Sequence, residues 1–399
     1  MTVGILYISY DGMLEPLGQS QVLSYLKRLS VNRRIHLISF EKSVHCTKSV
    51  DWTYIAQTLK DAEITWHPLK YHKNPSVIAT SWDIFTGVML GVWLTVRHRL
   101  QIVHARSYVA AVMALTIKKL TAVKFLFDMR GFWADERIDG GIWLPNGLMY
   151  KVAKWFEKKF ILNADHVVSL TNAGLKIIKE FDYLQEHVPL ISVIPTCADL
   201  KKFRPVEDHS RNSDFVLGYV GSVGTWYEFD AVVTCFIKLR QIKKTAHLLI
   251  INNNAHSYII ERLRLGKVPI EAVELMAVSH SEIPNQMARM HAGIFFYKQS
   301  YSRLACSPTK LGEFLGCGLP CLSNTGVGDM AEILEDEKVG VALKSFDENS
   351  LEEGLAMLLA LCEDFDTRRR CVEVAHRHFS LDDGVLKYAS IYNQLEEQV

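Results

Sequence analysis

The chain is 399 residues long, 49% hydrophobic and 22% charged, with no low-complexity tract; that is a globular protein with length enough for two domains of ordinary size. Its formal net charge is +1, and no nucleic-acid partner is expected. The balance is uneven: residues 1–200 hold 23 Lys+Arg against 17 Asp+Glu, giving +6, and residues 201–399 hold 22 against 27, giving −5. A mildly basic first half suits an anionic acceptor or a membrane surface, but the difference decides nothing alone. The eight cysteines are scattered, and the close pair Cys317 and Cys321 has no matching pair elsewhere, which argues for reduced thiols and against a zinc cluster. Val3 to Ser9 reads as a buried strand rather than a signal peptide. The most apolar run, Ile84 to Val96, has 13 residues and is too short to span a bilayer, so a cytoplasmic chain is expected.

Val3-Gly4-Ile5-Leu6-Tyr7-Ile8-Ser9 is a continuous apolar run, as in a parallel strand covered on both faces. A loop with Asp11, Gly12, Pro16 and Gly18 leads to a helix from about Gln19 to Leu29. This is the opening of a nucleotide-binding α/β unit without GxGxxG spacing. Gly18 reads as a point where backbone approaches a ligand, or where the turn needs a positive φ. Strands are then expected at Ile35–Phe40, Ile102–His104, Lys124–Asp128, His166–Leu170 and Ile191–Ile194. Helices are expected around Val50–Lys60, Ile84–Arg99, Tyr108–Leu120, Leu148–Leu162 and Asn172–Phe181. That alternation gives a mostly parallel sheet with helices on both faces. Pro195 to Pro205, with the polar residues up to Ser213, reads as a linker. A second series follows, with strands at Phe215–Val220, His247–Ile251, Val273–Val278, Gly293–Tyr297, Leu319–Ser323 and Val339–Leu343, then amphipathic helices from Leu351 onward. Two doubly wound domains in tandem bind ligand in the cleft between the C-terminal ends of their strands.

Several strand ends carry candidate chemistry. Asp128 and Arg130 stand in a loop with five charges in ten residues, and fit either a cleft role or a salt bridge bracing the loop. Gly221-Ser222-Val223-Gly224 follows the first strand of the second series, and is either a phosphate-cradling turn or a plain βα turn. His280 lies in a loop that suits a nucleobase, or is structural. Gly328 and Asp329 follow another strand. In Ser307-Pro308-Thr309-Lys310-Leu311-Gly312-Glu313, Ser307 is placed to cap a helix and Pro308 to open it. Lys310 and Glu313, three apart, share one face. Free N–H groups and Lys310 attract an anion and Glu313 accepts from vicinal hydroxyls, so phosphate plus diol points to a nucleotide. The same residues also fit a capped core helix with an exposed Glu–Lys pair. Arg303, seven residues earlier, can converge with Lys310 on one diphosphate. Trp82–Arg99 and Leu148–Leu162, the latter with Lys151, Lys154, Lys158 and Lys159, suit a membrane surface as well as a core.

Taken together, Asp11-Gly12 with Pro16-Leu17-Gly18-Gln19, Asp128-Met129-Arg130-Gly131, Ala164–Thr171, Ile194-Pro195-Thr196 with Phe203-Arg204-Pro205, Tyr219–Ser222 and Lys310…Glu313…Gly318-Leu319-Pro320 resemble the retaining glycosyltransferases of family four. The resemblance runs nearly end to end and lies nearest a bacterial cell-surface polysaccharide subgroup. It implies the GT-B fold: two Rossmann-like domains, residues 1–200 and 201–375, facing a central cleft, with residues 376–399 crossing back to the first. It also implies an acceptor in the first domain, a glycan or a lipid-linked one, and a nucleoside-diphosphate sugar in the second, bound as co-substrate with no cofactor. By resemblance Glu313 takes the ribose hydroxyls. The family's first glutamate falls on Ala305, the basic pair that usually follows the Gly-Ser turn is replaced by Thr225-Trp226-Tyr227, and its acceptor-domain histidine by the Asp128–Arg130 loop.

The implied activity is transfer of a sugar to an acceptor hydroxyl with retention at the anomeric carbon. Arg303, Lys310 and the N–H groups near Gly18 and Gly221 are expected to stabilise the leaving diphosphate without a metal. Two other readings stand beside it: a catalytically silent nucleotide-sugar-binding partner protein, motivated by Ala305, and a GT-B-fold epimerase. The expected place is the cytoplasm, with the cytoplasmic face of the inner membrane as the surface such an acceptor would require.

Overall fold

The structure is a computed structural model and describes residues 3–42, 49–185, 188–206 and 214–398. The chain forms two compact units. One comprises the residues up to Pro195 together with those from Asp382 onward; the other runs from Thr196 to Leu381.

The first unit is built on a seven-stranded sheet: β1 (Gly4–Ser9), β2 (Arg34–Glu41), β3 (Thr65–Lys70), β4 (Ile102–Arg106), β5 (Lys124–Asp128), β6 (His166–Ser169) and β7 (Ile191–Val193). Their order is β3-β2-β1-β4-β5-β6-β7 and every pairing is parallel. The β1 run is buried at all six positions, as a strand covered on both faces must be. Strand β3 was not foreseen. It sits at the sheet edge, half-exposed, and contains Pro68, which an edge position tolerates because no neighbour needs its missing N–H. The helix expected at Ile84–Arg99 begins eight residues earlier and spans Ser76–His98. At 23 residues it is long and apolar enough to cross a membrane, which corrects the length read from the apolar run alone. The final helix, Leu381–Glu396, packs on the first unit: Arg33 bonds Asn393 and Glu396, and Tyr388 meets Tyr25 edge-on.

The second unit holds six parallel strands: β8 (Val216–Val220), β9 (His247–Ile251), β10 (Val273–Met276), β11 (Ala292–Ile294), β12 (Cys321–Asn324) and β13 (Gly340–Leu343), in the order β10-β9-β8-β11-β12-β13. Both sheets reverse direction of growth beside their first strand, between β1 and β4 and between β8 and β11. In doubly wound sheets those switch points are where strand ends leave a crevice for ligand. Thr196 to Phe203, expected as connecting chain, is folded into this unit. Thr196 bonds Ser307, Ala198 bridges Ser380, and Phe203 is in the core. The remainder of the expected linker, residues 207–213, lies outside the described residues.

Candidate functional site

In the second unit the residues singled out around Lys310 gather at the β8/β11 switch point. β8 runs into Gly221, whose φ of +112° only glycine adopts readily, and a Cβ there would stand 3.1 Å from Lys310 Nζ. The turn then returns: Tyr227 bridges Tyr297 beyond β11, and the Trp226 carbonyl accepts from Lys298 N–H at 3.0 Å. Asn324, at the end of β12, fixes Tyr297 by accepting from its N–H at 2.8 Å and donating to its carbonyl at 3.1 Å.

This framework surrounds Lys310 with rings. Its Nζ lies 4.3 Å from the centroid of Tyr227, 5.3 Å from Tyr219, 5.5 Å from Phe295 and 5.7 Å from Tyr297. The side chain is 8% exposed, and its ammonium makes no hydrogen bond among the described residues. Ring faces attract a cation by about 0.5–2 kcal/mol each, but they accept no N–H bond in the way a carboxylate does. With no hydrogen-bonded partner among the described residues, the ammonium's donors are left for an anion. Arg303 is held in parallel. Its guanidinium lies 4.8 Å over Trp226 and its carbonyl accepts from Gly328 N–H at 2.9 Å. The adjacent residues Trp226 and Tyr227, standing where a basic pair was expected, thus face the two cations.

Glu313 follows Lys310 by one turn of the helix Thr309–Gly316. The alternative of an exposed Glu–Lys pair is excluded: both residues are 8% exposed. Burial pushes the Glu313 carboxyl up to about 7, with Lys310 opposing. Ser307 does not cap the helix. Its hydroxyl accepts from Thr196 N–H at 3.2 Å, and Pro308 stands at the cap position with no side-chain bond.

Other expectations are corrected in detail. Gly221 N–H is spent on the Ile251 carbonyl at 2.9 Å and Gly328 N–H on Arg303, so neither is open to a phosphate. Ser222 is exposed at the turn, its carbonyl accepting from the Tyr219 hydroxyl at 2.6 Å. Asp329 starts the helix Met330–Asp336. His280 is half-buried 5.6 Å from the Phe203 ring, and Phe203 lies against Gly316 at the far end of the Lys310 helix. Burial, with Lys202 adding, holds His280 below the usual imidazole range. The structure does not join it to the Lys310 group. Among the described residues no three His, Cys, Asp or Glu side chains are clustered to hold a metal ion.

In the first unit, Asp128 and Arg130 lie at the end of β5, beside the β1/β4 switch point. Asp128 Oδ2 is 4.0 Å from Arg130 Nη1 and 3.8 Å from His104 Nε2. His104 shares a hydrogen bond of 2.7 Å with the Tyr392 hydroxyl, and Arg106 donates to Asp11 at 2.8 Å. Burial opposes the Asp128 charge, but Arg130, His104 and Arg106 outweigh it and hold the carboxyl below its ordinary range. Burial lowers His104, although Asp128 works the other way. Arg130 has φ +59°, an uncommon conformation outside glycine. The bracing salt bridge is therefore present, and it is the centre of a larger buried network. His104, Arg106 and Tyr392 were missed by sequence reasoning; His104 ends the predicted strand Ile102–His104 and Arg106 ends the observed β4, so the strand-end rule used for Asp128 would have found the first and pointed to the second. Gly18 has an ordinary helical φ of −60°, so no positive φ is needed there. A Cβ on Gly18 would lie 2.0 Å from the Gly12 carbonyl, so the loop's own backbone takes the space.

No protein-family model matches the chain, and no curated protein matches it. Solved structures do. A glycosyltransferase from Rickettsia africae ESF-5 is similar over 100% of both chains at 14% identity with a TM-score of 0.74. Sucrose-phosphate synthase from Thermosynechococcus elongatus is similar over 100% of both chains at 14% identity and 0.73. Anabaena HepE, in complex with UDP and glucose, is similar over 98% of this chain and 99% of its own at 13% identity and 0.67. With two Rossmann-like parallel sheets and end-to-end likeness of this kind, the chain has the GT-B fold.

Proposed function

We propose that this protein is a retaining glycosyltransferase that moves a sugar from a nucleoside-diphosphate sugar to an acceptor hydroxyl, in the synthesis of a bacterial cell-surface glycan. The observation that carries the reading is the buried, ring-lined Lys310 ammonium with Glu313 one turn beyond it. The cation suits the diphosphate, and the carboxylate suits the two ribose hydroxyls. HepE, a neighbour in fold, holds UDP, which supports the same donor class.

On this reading the second unit grips the donor. As the glycosidic bond to the diphosphate breaks, negative charge grows on the leaving oxygen, and Lys310 and Arg303 stabilise it more strongly than the ground state. They supply the positive charge that a divalent cation would otherwise bring. The leaving diphosphate then helps to deprotonate the acceptor hydroxyl, which attacks from the same face, so configuration is retained. The first unit takes the acceptor, with the Asp128 network as its polar floor.

A panel of nucleotide-sugars scored by thermal stabilisation tests the reading, comparing wild type with Glu313→Ala. One donor class is expected to stabilise the wild type and to lose about tenfold or more in affinity with the variant, since two hydrogen bonds to a charged group are removed. Equal binding of every donor by both proteins would overturn the ribose assignment. Donor turnover without any acceptor would select the epimerase instead, and tight binding without release of nucleoside diphosphate would select the silent partner protein suggested by Ala305.

A further inference from the structure

The first unit carries an apolar surface that its own fold leaves uncovered. On the helix Ser76–His98, Ala79, Asp83, Gly87, Gly91 and Leu94 face inward. The two glycines let the helix pack closely, since a Cβ at either would lie 2.5 Å from Met113 Sδ or Ile117 Cδ1. A helix so anchored along one face lies on the protein and does not traverse a bilayer apart from it. Its outer face repeats with the same period: Ile78, Trp82, Phe85, Met89, Trp93 and Val96 are each 55–68% exposed. That stripe is about 27 Å long and carries no charge before Arg97 and Arg99 at its end. Leu144, Leu148 and Trp155 add a second exposed apolar segment, beside the exposed Lys151 and Lys158. Contiguous apolar surface of this extent marks an interaction site.

Between the two segments lies a cavity of about 240 Å³, walled by Val112, Trp133, Trp143, Ala153 and Phe156. Val77, Met149 and Val152 line it and are also exposed, so the cavity is continuous with the patch. A cavity of about 150 Å³ with carbon walls is enough to hold benzene, so this one accommodates part of a hydrocarbon chain. The wall is mostly carbon, broken by Ser76, Thr80 and Ser81, while the hydroxyl of the lining Tyr108 donates to Glu157. Trp133 opens the helix Trp133–Asp139, three residues beyond Arg130, which ties the cavity to the polar network of the first unit.

We infer that the patch rests on an anionic membrane surface and that the cavity takes the hydrocarbon chain of a lipid-linked acceptor. This rests on the reading that the first unit receives the acceptor. Two exposed tryptophans on an apolar face fringed by Lys and Arg match the interfacial region of a bilayer, where rings sit at headgroup depth and cations meet lipid phosphates. A second copy packed stripe to stripe would cover the apolar face but set the same cations against each other.

The test uses the full-length protein, vesicles of phosphatidylglycerol and phosphatidylcholine, and a single-chain alkyl phosphate with a pyrene at the chain end. Wild type is expected to float with the vesicles and to take up one probe, read by energy transfer from tryptophan. Trp82→Ser combined with Phe85→Ser and Trp93→Ser should abolish flotation. Ala153→Phe, or Val112→Phe should the first fail to fold, should weaken probe uptake at least tenfold while flotation persists. Wild type that neither floats nor binds probe overturns the inference, and so does a dimer whose dissociation follows the serine substitutions without vesicle binding. Donor-induced thermal stabilisation is measured on the same samples. If it persists while lipid binding fails, this inference falls and the transferase reading stands; the reverse result removes the transferase reading and leaves a lipid-binding surface.

Discussion

The two switch points treat buried charge in opposite ways. At the first unit's switch point the charges named above face opposite charge or a polar group: Asp128 has Arg130 and His104, Arg106 has Asp11, and His104 has Tyr392. In the second unit ring faces surround the Lys310 ammonium, which has no hydrogen-bonded partner among the described residues. A neutralised network fixes geometry and has little field left for a ligand. A cation held by rings is positioned but not neutralised, so its field is available to an anion. On the transferase reading proposed above, the difference separates a floor that orients an uncharged hydroxyl from a site that stabilises a charged leaving group.

The contrast can be broken from either side. Asp128→Ala should have the largest effect, about 3–5 kcal/mol of lost stability, because it leaves Arg130 buried without its counter-charge. Denaturant unfolding reads this directly, and an unchanged midpoint would show that the network is not structural. Lys310→Met should do the reverse. Removing an ammonium with no bonded partner should leave stability unchanged or raised, while transfer falls about 10²–10³-fold through loss of about 3–4 kcal/mol of charge stabilisation. A variant that unfolds early and still turns over would contradict the assignment.

The smallest effect is a pH dependence at Glu313. Its carboxyl is raised to about 7, so the ionised form is disfavoured in the empty fold, and that group's contribution to stability declines as pH rises from its ordinary value of 4.5 towards 7. Ribose hydroxyls donate to the ionised form, so a bound donor should draw the proton off. Affinity for an intact nucleotide-sugar, whose diphosphate does not titrate here, should therefore rise by about tenfold per pH unit below 7 and level off above it. Glu313→Gln should be flat, and the same slope in both proteins would remove Glu313 from the ribose site.

Much of this was legible in the chain. The uninterrupted apolar runs at Val3–Ser9 and Phe215–Val220 mark strands covered on both faces, since only a parallel sheet buries each side of a strand. Alternation with helices then dictates two doubly wound sheets. Lys310 and Glu313 could be paired from spacing alone, because a helix places residues three apart on one face whatever surrounds it. Periodicity could not show edge strand β3, whose residues are neither continuously apolar nor cleanly alternating. Nor could it show that Ser307 serves Thr196, 111 residues away.

The sequence by itself determined the architecture and the identity of the charged groups, because burial periodicity and helical spacing are local properties. Only the tertiary structure decided the state of those charges. Tyr219, Tyr227, Phe295 and Tyr297 come from three separated stretches, and their convergence on one ammonium follows from strand order. The same holds for the helix Ser76–His98, whose apolar residues all look alike in sequence. Packing against Met113 and Ile117 is what makes one face core and leaves the other face outside.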